Sequence, residues 1–210
     1  MNTPDDSQQV NRIQQFYKWH ANIYEVTRWA FLFGRKRLVE ALNLPFSSQK
    51  NIVEVGCGTG HNLYYLAKNF PALQLTGIDI STDMLQVATK KVKRFLPRIS
   101  FINMPYFTGA DPLPVKPNIV IFSYCLTMIN PGWEDALQRA YNDLGEGDLI
   151  AVVDFHHTPL SLFRRWMDYN HVRMDEHLLP ALSKQFKPVH LEIRQAYGGL
   201  WTYFLFVGKK

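Results

Sequence analysis

The stretch VEVGCGTGHNLYYLA, residues 53–67, restricts what this chain can fold into more than any other part of it. An apolar run over 51–55 gives way to Gly56, Gly58 and Gly60 and then to a helical pattern. That order requires a buried strand, a tight turn and a helix. Glycines permit the positive backbone angles of such a turn, and they let main-chain amides come close to a ligand at the start of the helix. A lone Gly-x-Gly-x-Gly is a weak signal. Its place between a strand and a helix makes it a binding loop, because open α/β sheets hold ligands beyond the carboxyl ends of their strands.

The alternation continues downstream. Strands are expected over 51–55, 72–78, 99–103, 118–124 and 149–155, with a terminal hairpin formed by 188–195 and 200–207 around Tyr197-Gly198-Gly199. Helices are expected over 62–70, after Ser81 as a cap, and over 133–144, 160–170 and 174–186, the last interrupted by Pro180. Prolines at 105, 112, 114 and 117 mark a loop. The segment before this alternation differs in character. Phe16, Tyr17, His20, Tyr24, Thr27 and Phe31 recur at helical spacing, Gly34 breaks the pattern, and a second helix over 35–42 leads to Pro45. The organisation predicted is an amino-terminal helical lid over 1–45 and an α/β domain over 46–210, with a helical cover at about 160–186.

Composition narrows the classes. Two cysteines, Cys57 and Cys125, exclude a disulfide scaffold; both lie in apolar surroundings and are expected to be buried thiols. No metal ligand set is legible among the seven histidines. The polar start MNTPDDSQQ has no basic region followed by an apolar one, and the longest apolar runs fall short of the roughly 20 residues of a spanning helix. The expected location is therefore cytoplasmic, with any membrane contact made from the surface. A formal charge of +5 favours anionic partners.

Two nucleotide classes suit the loop. A hydride-transfer dinucleotide fold would carry a further glycine, where this chain has His61. The run Glu54-Val55-Gly56-Cys57-Gly58-Thr59-Gly60, followed by Gly77-Ile78-Asp79-Ile80-Ser81, strongly resembles the class I S-adenosylmethionine-dependent methyltransferases. The resemblance covers about residues 50–155. It implies a Rossmann-like, seven-stranded, mostly parallel sheet with helices on both faces and a C-terminal antiparallel hairpin. It implies S-adenosylmethionine as cofactor, with Gly56, Gly58 and Gly60 beneath its methionine part, Glu54 near the ammonium and Asp79 on the ribose hydroxyls. Cys57, Ile80, Met84, Met104, Pro105 and Ser123 complete the expected donor contacts. Many relatives carry Gly-Asp-Ala after the third strand. Here Met104-Pro105-Tyr106 stands in that place, so adenine is expected either on an apolar wall of Met104 and Tyr106 or beside Asp111.

The flanks carry a narrower resemblance. Residues 19–28 (WHANIYEVTR), 33–35 (FGR), 123–129 (SYCLTMI) with Trp133, and 152–155 (VVDF) are similar to bacterial betaine-lipid and related phospholipid N-methyltransferases. The implied acceptor is an amine on a lipid headgroup. Tyr124, His157, His20, Tyr24 and Tyr17 are the expected acceptor-side catalytic residues: Tyr124 ends the fourth strand, and Tyr17, His20 and Tyr24 share one helical face. Residues 11–38 hold six Lys/Arg and one acid among aromatics, a pattern that could dock on an anionic membrane. Nucleic acid is disfavoured, because the Asp/Asn-Pro-Pro-Tyr/Phe signature of base amino-methylation is replaced by Ser123-Tyr124-Cys125-Leu126. Two rival readings stay open. One is methylation of a soluble small molecule, with His156 or His157 as base on a hydroxyl. The other is a cofactor-binding fold used as an interaction module.

Overall fold

The computed structural model describes residues 31–210. After a short helix α1 (Arg35–Ala41), strand and helix alternate: β1 (Asn51–Val55), α2 (His61–Asn69), β2 (Gln74–Asp79), α3 (Thr82–Lys91), β3 (Ile99–Asn103), β4 (Ile119–Ser123), α4 (Trp133–Asp143) and β5 (Leu149–His157). Helices α5 (Ser161–Tyr169) and α6 (Leu178–Gln185) follow, and β6 (Lys187–Ala196) and β7 (Trp201–Lys209) close the chain. The seven strands form one sheet in the order β3-β2-β1-β4-β5-β7-β6. The five from β3 to β5 are parallel, and β7 runs antiparallel to both β5 and β6. This is the Rossmann-like sheet and terminal hairpin expected from the sequence.

Burial explains the order. Every residue of β4 is buried, as befits a strand covered on both faces, and this near-continuous apolar run sits at the centre. Edge strand β6 instead exposes most of its residues. One core packs Leu38 of α1, Leu63 and Leu66 of α2, Leu85 of α3 and Met167 of α5 against the sheet, with Trp201 and Tyr203. The opposite core joins Phe122, Phe204 and Phe206 to Leu137 of α4 and Leu182 of α6. The chain leaves β1 towards β2 on one side and returns to β4 on the other, so a crevice opens at the carboxyl end of β1.

Three expectations are corrected. Strand β5 runs on to His157, which pairs with Thr202 across a bulge, so His156 and His157 belong to the strand and not to a loop after it. The partner strand β7 begins early enough to keep extending the ladder. The predicted helix over 174–186 starts only at Leu178, because Glu176 has φ 65 and Asp175 bridges to His157. Pro180 then falls in the first turn of α6, where a missing N–H costs little. Cys57 is buried as expected, whereas Cys125 is only half-buried.

Candidate functional site

The loop after β1 is held by its own main chain and by one carboxylate. Cys57 N–H donates to the Ile78 carbonyl at 3.0 Å, and Gly60 N–H to that of Cys57 at 3.0 Å. Gly58 N–H donates to Asp79 Oδ2 at 2.8 Å, while Asp79 Oδ1 accepts from Ser81 N–H at 2.9 Å. Asp79 thus ties the glycine loop to the start of α3, whose amino end Ser81 caps through Met84 N–H at 3.3 Å. Gly56 has φ 65, and a Cβ there would stand 2.5 Å from Cys125 Sγ, so only glycine fits between the loop and the β4 side. Gly60, φ 71, opens α2 where a Cβ would stand only 3.0 Å from Ala88 Cβ. Lys91 Nζ reaches Thr59 Oγ1 at 3.1 Å. Glu54 is buried behind the loop, where Oε1 accepts from Asn62 Nδ2 at 2.7 Å.

Beyond the loop lies an open cleft lined by Val55, Gly56, Gly58, Ile78, Asp79, Ile80, Met84, Met104, Tyr106, Tyr124, Cys125, Met128 and Ile129. The residues fit a nucleoside-bearing ligand. Main-chain edges and the Asp79 carboxylate meet polar groups at one end, and Ile80, Met84, Met104 and Tyr106 offer apolar surface for a flat ring. Tyr106 is fixed by its hydroxyl, which donates to Asp143 Oδ2 at 2.8 Å; burial, and secondarily Asp143, raises its pKa. Asp111 stands outside the cleft lining, its carbonyl bound by Arg139 Nη2 at 2.8 Å.

The far wall is built on Asp154, which lies fully buried in β5. Its Oδ1 accepts from Thr127 Oγ1 at 2.5 Å and from Phe155 N–H at 2.8 Å. Its Oδ2 accepts from Cys125 N–H and Thr127 N–H, each at 3.2 Å. Burial raises the acid to about 6, against the lowering effect of these donors. One side chain therefore pins the turn from Cys125 to Met128 that walls the cleft. Tyr124, at the mouth of that turn, has φ 54, and its hydroxyl donates to the Phe33 carbonyl at 2.8 Å. Burial foremost, with Asp154 second, raises its pKa, so the phenol stays protonated.

The other expected residues are distributed as follows. His157 Nδ1 faces Glu176 Oε1 at 3.0 Å, and His156 lies edge-on to Phe204 with its centroid 5.9 Å away; neither lines the cleft. Burial lowers the pKa of His156. Cys57 and Gly60 belong to the loop and Glu54 to β1, all three outside the cleft lining; Ser123 is buried at the end of β4, and Pro105 is exposed beside Met104. Tyr17, His20 and Tyr24 lie outside the described residues. Sequence reasoning did not identify the role of Asp154. The signal was present: an acid inside the apolar run LIAVVDF must be buried and supplied with donors.

Comparison with known proteins agrees with this geometry. Residues 52–147 match the family model described as a methyltransferase domain. A trans-aconitate 2-methyltransferase from Paracidovorax citrulli is 29% identical over 109 residues, covering 52% of this chain and 40% of that protein. The chain thus spans less than half the length of this curated relative. Among solved structures, the (4+2)-cyclase SpnF superposes with TM-score 0.77 at 14% identity, covering 96% of each chain. Phosphoethanolamine N-methyltransferase 2 of Haemonchus contortus, with phosphomonomethylethanolamine and S-adenosylhomocysteine, superposes with TM-score 0.73 at 17% identity, covering 94% of this chain and 60% of that one. The loop after β1 and the acid ending β2 both lie within residues 52–147, the segment that matches a methyltransferase domain, and the sheet has the Rossmann-like order of that fold.

Proposed function

We propose that the protein methylates an amine carried by a lipid headgroup. The observation that carries the amine reading is the chemistry of the cleft wall. Among the described residues, its lining contains no lysine, arginine or histidine, and its one acid is Asp79. A carboxylate acceptor would find no cation there. A hydroxyl acceptor would find no base: Tyr106 and Tyr124 are held protonated, Asp79 is engaged by Gly58 and Ser81, and the two β5 histidines lie elsewhere. An amine needs only its lone pair once it has lost a proton to solvent, and a positively charged amine is tolerated beside Asp79 and ring faces.

S-adenosylmethionine, when bound, supplies an electrophilic methyl group on a sulfonium. The chain's own contribution is positional. The glycine loop and Asp79 fix one end of the donor, the apolar wall takes its ring, and the Asp154-pinned turn with Tyr124 shapes the side from which an acceptor arrives. Catalysis of this kind rests on alignment and exclusion of water. The lipid part of the reading is supported by the sequence flanks and by the structural likeness to a phosphoethanolamine N-methyltransferase. A second reading, methylation of a soluble acid, is favoured by the relative named for trans-aconitate.

The test is to incubate purified protein with methyl-labelled donor and, separately, phosphatidylethanolamine in detergent micelles, phosphoethanolamine, trans-aconitate and a catechol. Label on the lipid amine is expected. Label on trans-aconitate or the catechol alone would overturn the amine reading, and label on phosphoethanolamine alone would overturn its lipid part.

A further inference from the structure

The sheet ends in two edge strands, β3 and β6. Open edges invite pairing with another chain, and native proteins keep them short, charged, or broken by proline and bulges. Strand β3 is five residues long, whereas β6 has ten. The blunting devices of β6 are gathered at its amino end, in Lys187, Pro188 and a shift of register between Pro188 and His190. From His190 to Ala196 it pairs with β7 residue by residue, and among the described residues no strand covers its outer side.

This regular stretch presents two different faces. Leu191 and Ile193 stand opposite Phe206 and Phe204, on the side of α4 and α6, and are 48% and 53% exposed. Glu192 and Arg194 stand opposite Leu205 and Tyr203, on the side of α1, where Arg194 Nη1 donates to Glu192 Oε2 at 3.0 Å. His190 Nε2 lies 3.1 Å from Glu192 Oε1 on that side. A strand added to β6 must match both the apolar row and the order of charges, and the strand itself does so. Two copies related by a two-fold axis perpendicular to the sheet pair antiparallel and keep like faces on the same side. With Ile193 on the axis, Glu192 of each copy falls opposite Arg194 of the other. Ile193 meets its counterpart, and Leu191 lies diagonal to that isoleucine. The neighbouring registers fail. An axis at Glu192 or at Arg194 sets like charges opposite each other. One at Leu191 pairs His190 with Glu192 but brings Pro188 and the bulge into the ladder.

From this self-complementarity we infer that the protein pairs with a second copy of itself through β6, the two sheets joining edge to edge with Ile193 on the two-fold axis. Main-chain hydrogen bonds supply the attraction, and the reciprocal Glu192–Arg194 pairs set the register. The axis reverses strand direction, so the two clefts open at opposite ends of the dimer and each keeps its own lining. The inference does not depend on the nature of the acceptor.

The test is analytical ultracentrifugation of the full chain from about 1 to about 200 μM. It compares the wild type with Glu192→Arg, Arg194→Glu, the double exchange of both, and Ile193→Lys. The wild type is expected to dimerise. Each single charge variant is expected to associate at least about tenfold more weakly, because it sets like charges opposite each other twice. The double exchange is expected to recover the wild-type constant within about threefold, which also shows that neither substitution harms the fold. Ile193→Lys keeps the charge pairs and is expected to abolish the dimer. Donor binding is expected to be equal in all five proteins, since β6 contributes nothing to the cleft lining. A monomeric wild type overturns the inference; a Tm lowered by Ile193→Lys would then identify the chain's own amino-terminal segment as the cover of this edge. Charge variants or an Ile193→Lys protein that dimerise like the wild type would place the interface elsewhere. A double exchange as weak as the single variants would reject the pairing, and donor affinity that falls with the dimer would put the contact at the cleft instead of β6.

Discussion

Replacing Asp154 by asparagine tests what the buried acid is for. The folded protein raises this carboxyl from 3.8 to about 6, with burial the largest cause. A shift of about two units is worth roughly 3 kcal/mol at 1.36 kcal/mol per unit. The sign follows from linkage. With a folded pKa above the unfolded one, the group's stabilising contribution is complete below about pH 4 and is lost as pH rises through about 6. Asparagine does not titrate, keeps one acceptor oxygen for Thr127 Oγ1 or Phe155 N–H, and turns a donor towards Cys125 N–H and Thr127 N–H. At pH 4, where the wild-type acid is protonated, the two proteins should be within about 1 kcal/mol of each other. By pH 7.5 the variant should have gained about 2–3 kcal/mol relative to the wild type. Urea denaturation of both proteins at half-unit steps from pH 4 to 8 measures this, since other groups cancel in the difference. The same variant should bind donor roughly tenfold more weakly, about 1.4 kcal/mol, because the wall from Cys125 to Thr127 loses two of its anchors. A stability gap that stays flat, or that moves in favour of the wild type as pH rises, would refute the reasoning; it would mean that the four donors outweigh burial.

Three further outcomes are expected. Gly56→Ala places a methyl 2.5 Å from Cys125 Sγ at φ 65, so it should cost at least about 1–2 kcal/mol in thermal denaturation and weaken donor binding by calorimetry. Asp79→Ala removes the acceptor of both Gly58 and Ser81 N–H, and donor affinity should fall tenfold or more while unfolding free energy drops by about 1–3 kcal/mol; unchanged affinity would exclude Asp79 from the donor site. Tyr124→Phe loses the bond to Phe33 and about 1 kcal/mol, yet the pH profile of turnover should keep its shape because this phenol does not ionise in the working range; a shifted profile would make Tyr124 an acid or base.

The fold was legible because its signals are local. The run 51–60 contains a buried strand and a glycine turn, and Ser81 caps α3 as its side chain allows. The alternation of such units leaves few sheet topologies to choose from. The misplacements share a cause in long-range pairing. His156 and His157 extend β5 because Thr202, far along the chain, continues the ladder beside them, and the helix expected from Met174 begins late because Asp175 pairs with that same strand. No window of neighbouring residues reports either event. Cys125 likewise looked buried among apolar neighbours, yet it lines the cleft because the turn that carries it is drawn out by Asp154.

By itself, then, the sequence determined the sheet and the glycine loop, since each is encoded by residue types at short, fixed spacing. Tertiary structure decided the acceptor side. It set the histidines of β5 outside the cleft, tied Tyr124 to Phe33 across 91 residues, and made a buried carboxylate the anchor of the far wall. It also turned Leu162, Trp166 and Tyr169 outward while their helical neighbours Phe163 and Met167 filled the core. Spacing gives the faces of a helix. Which side chains of a helix are buried depends on what the rest of the chain brings against it.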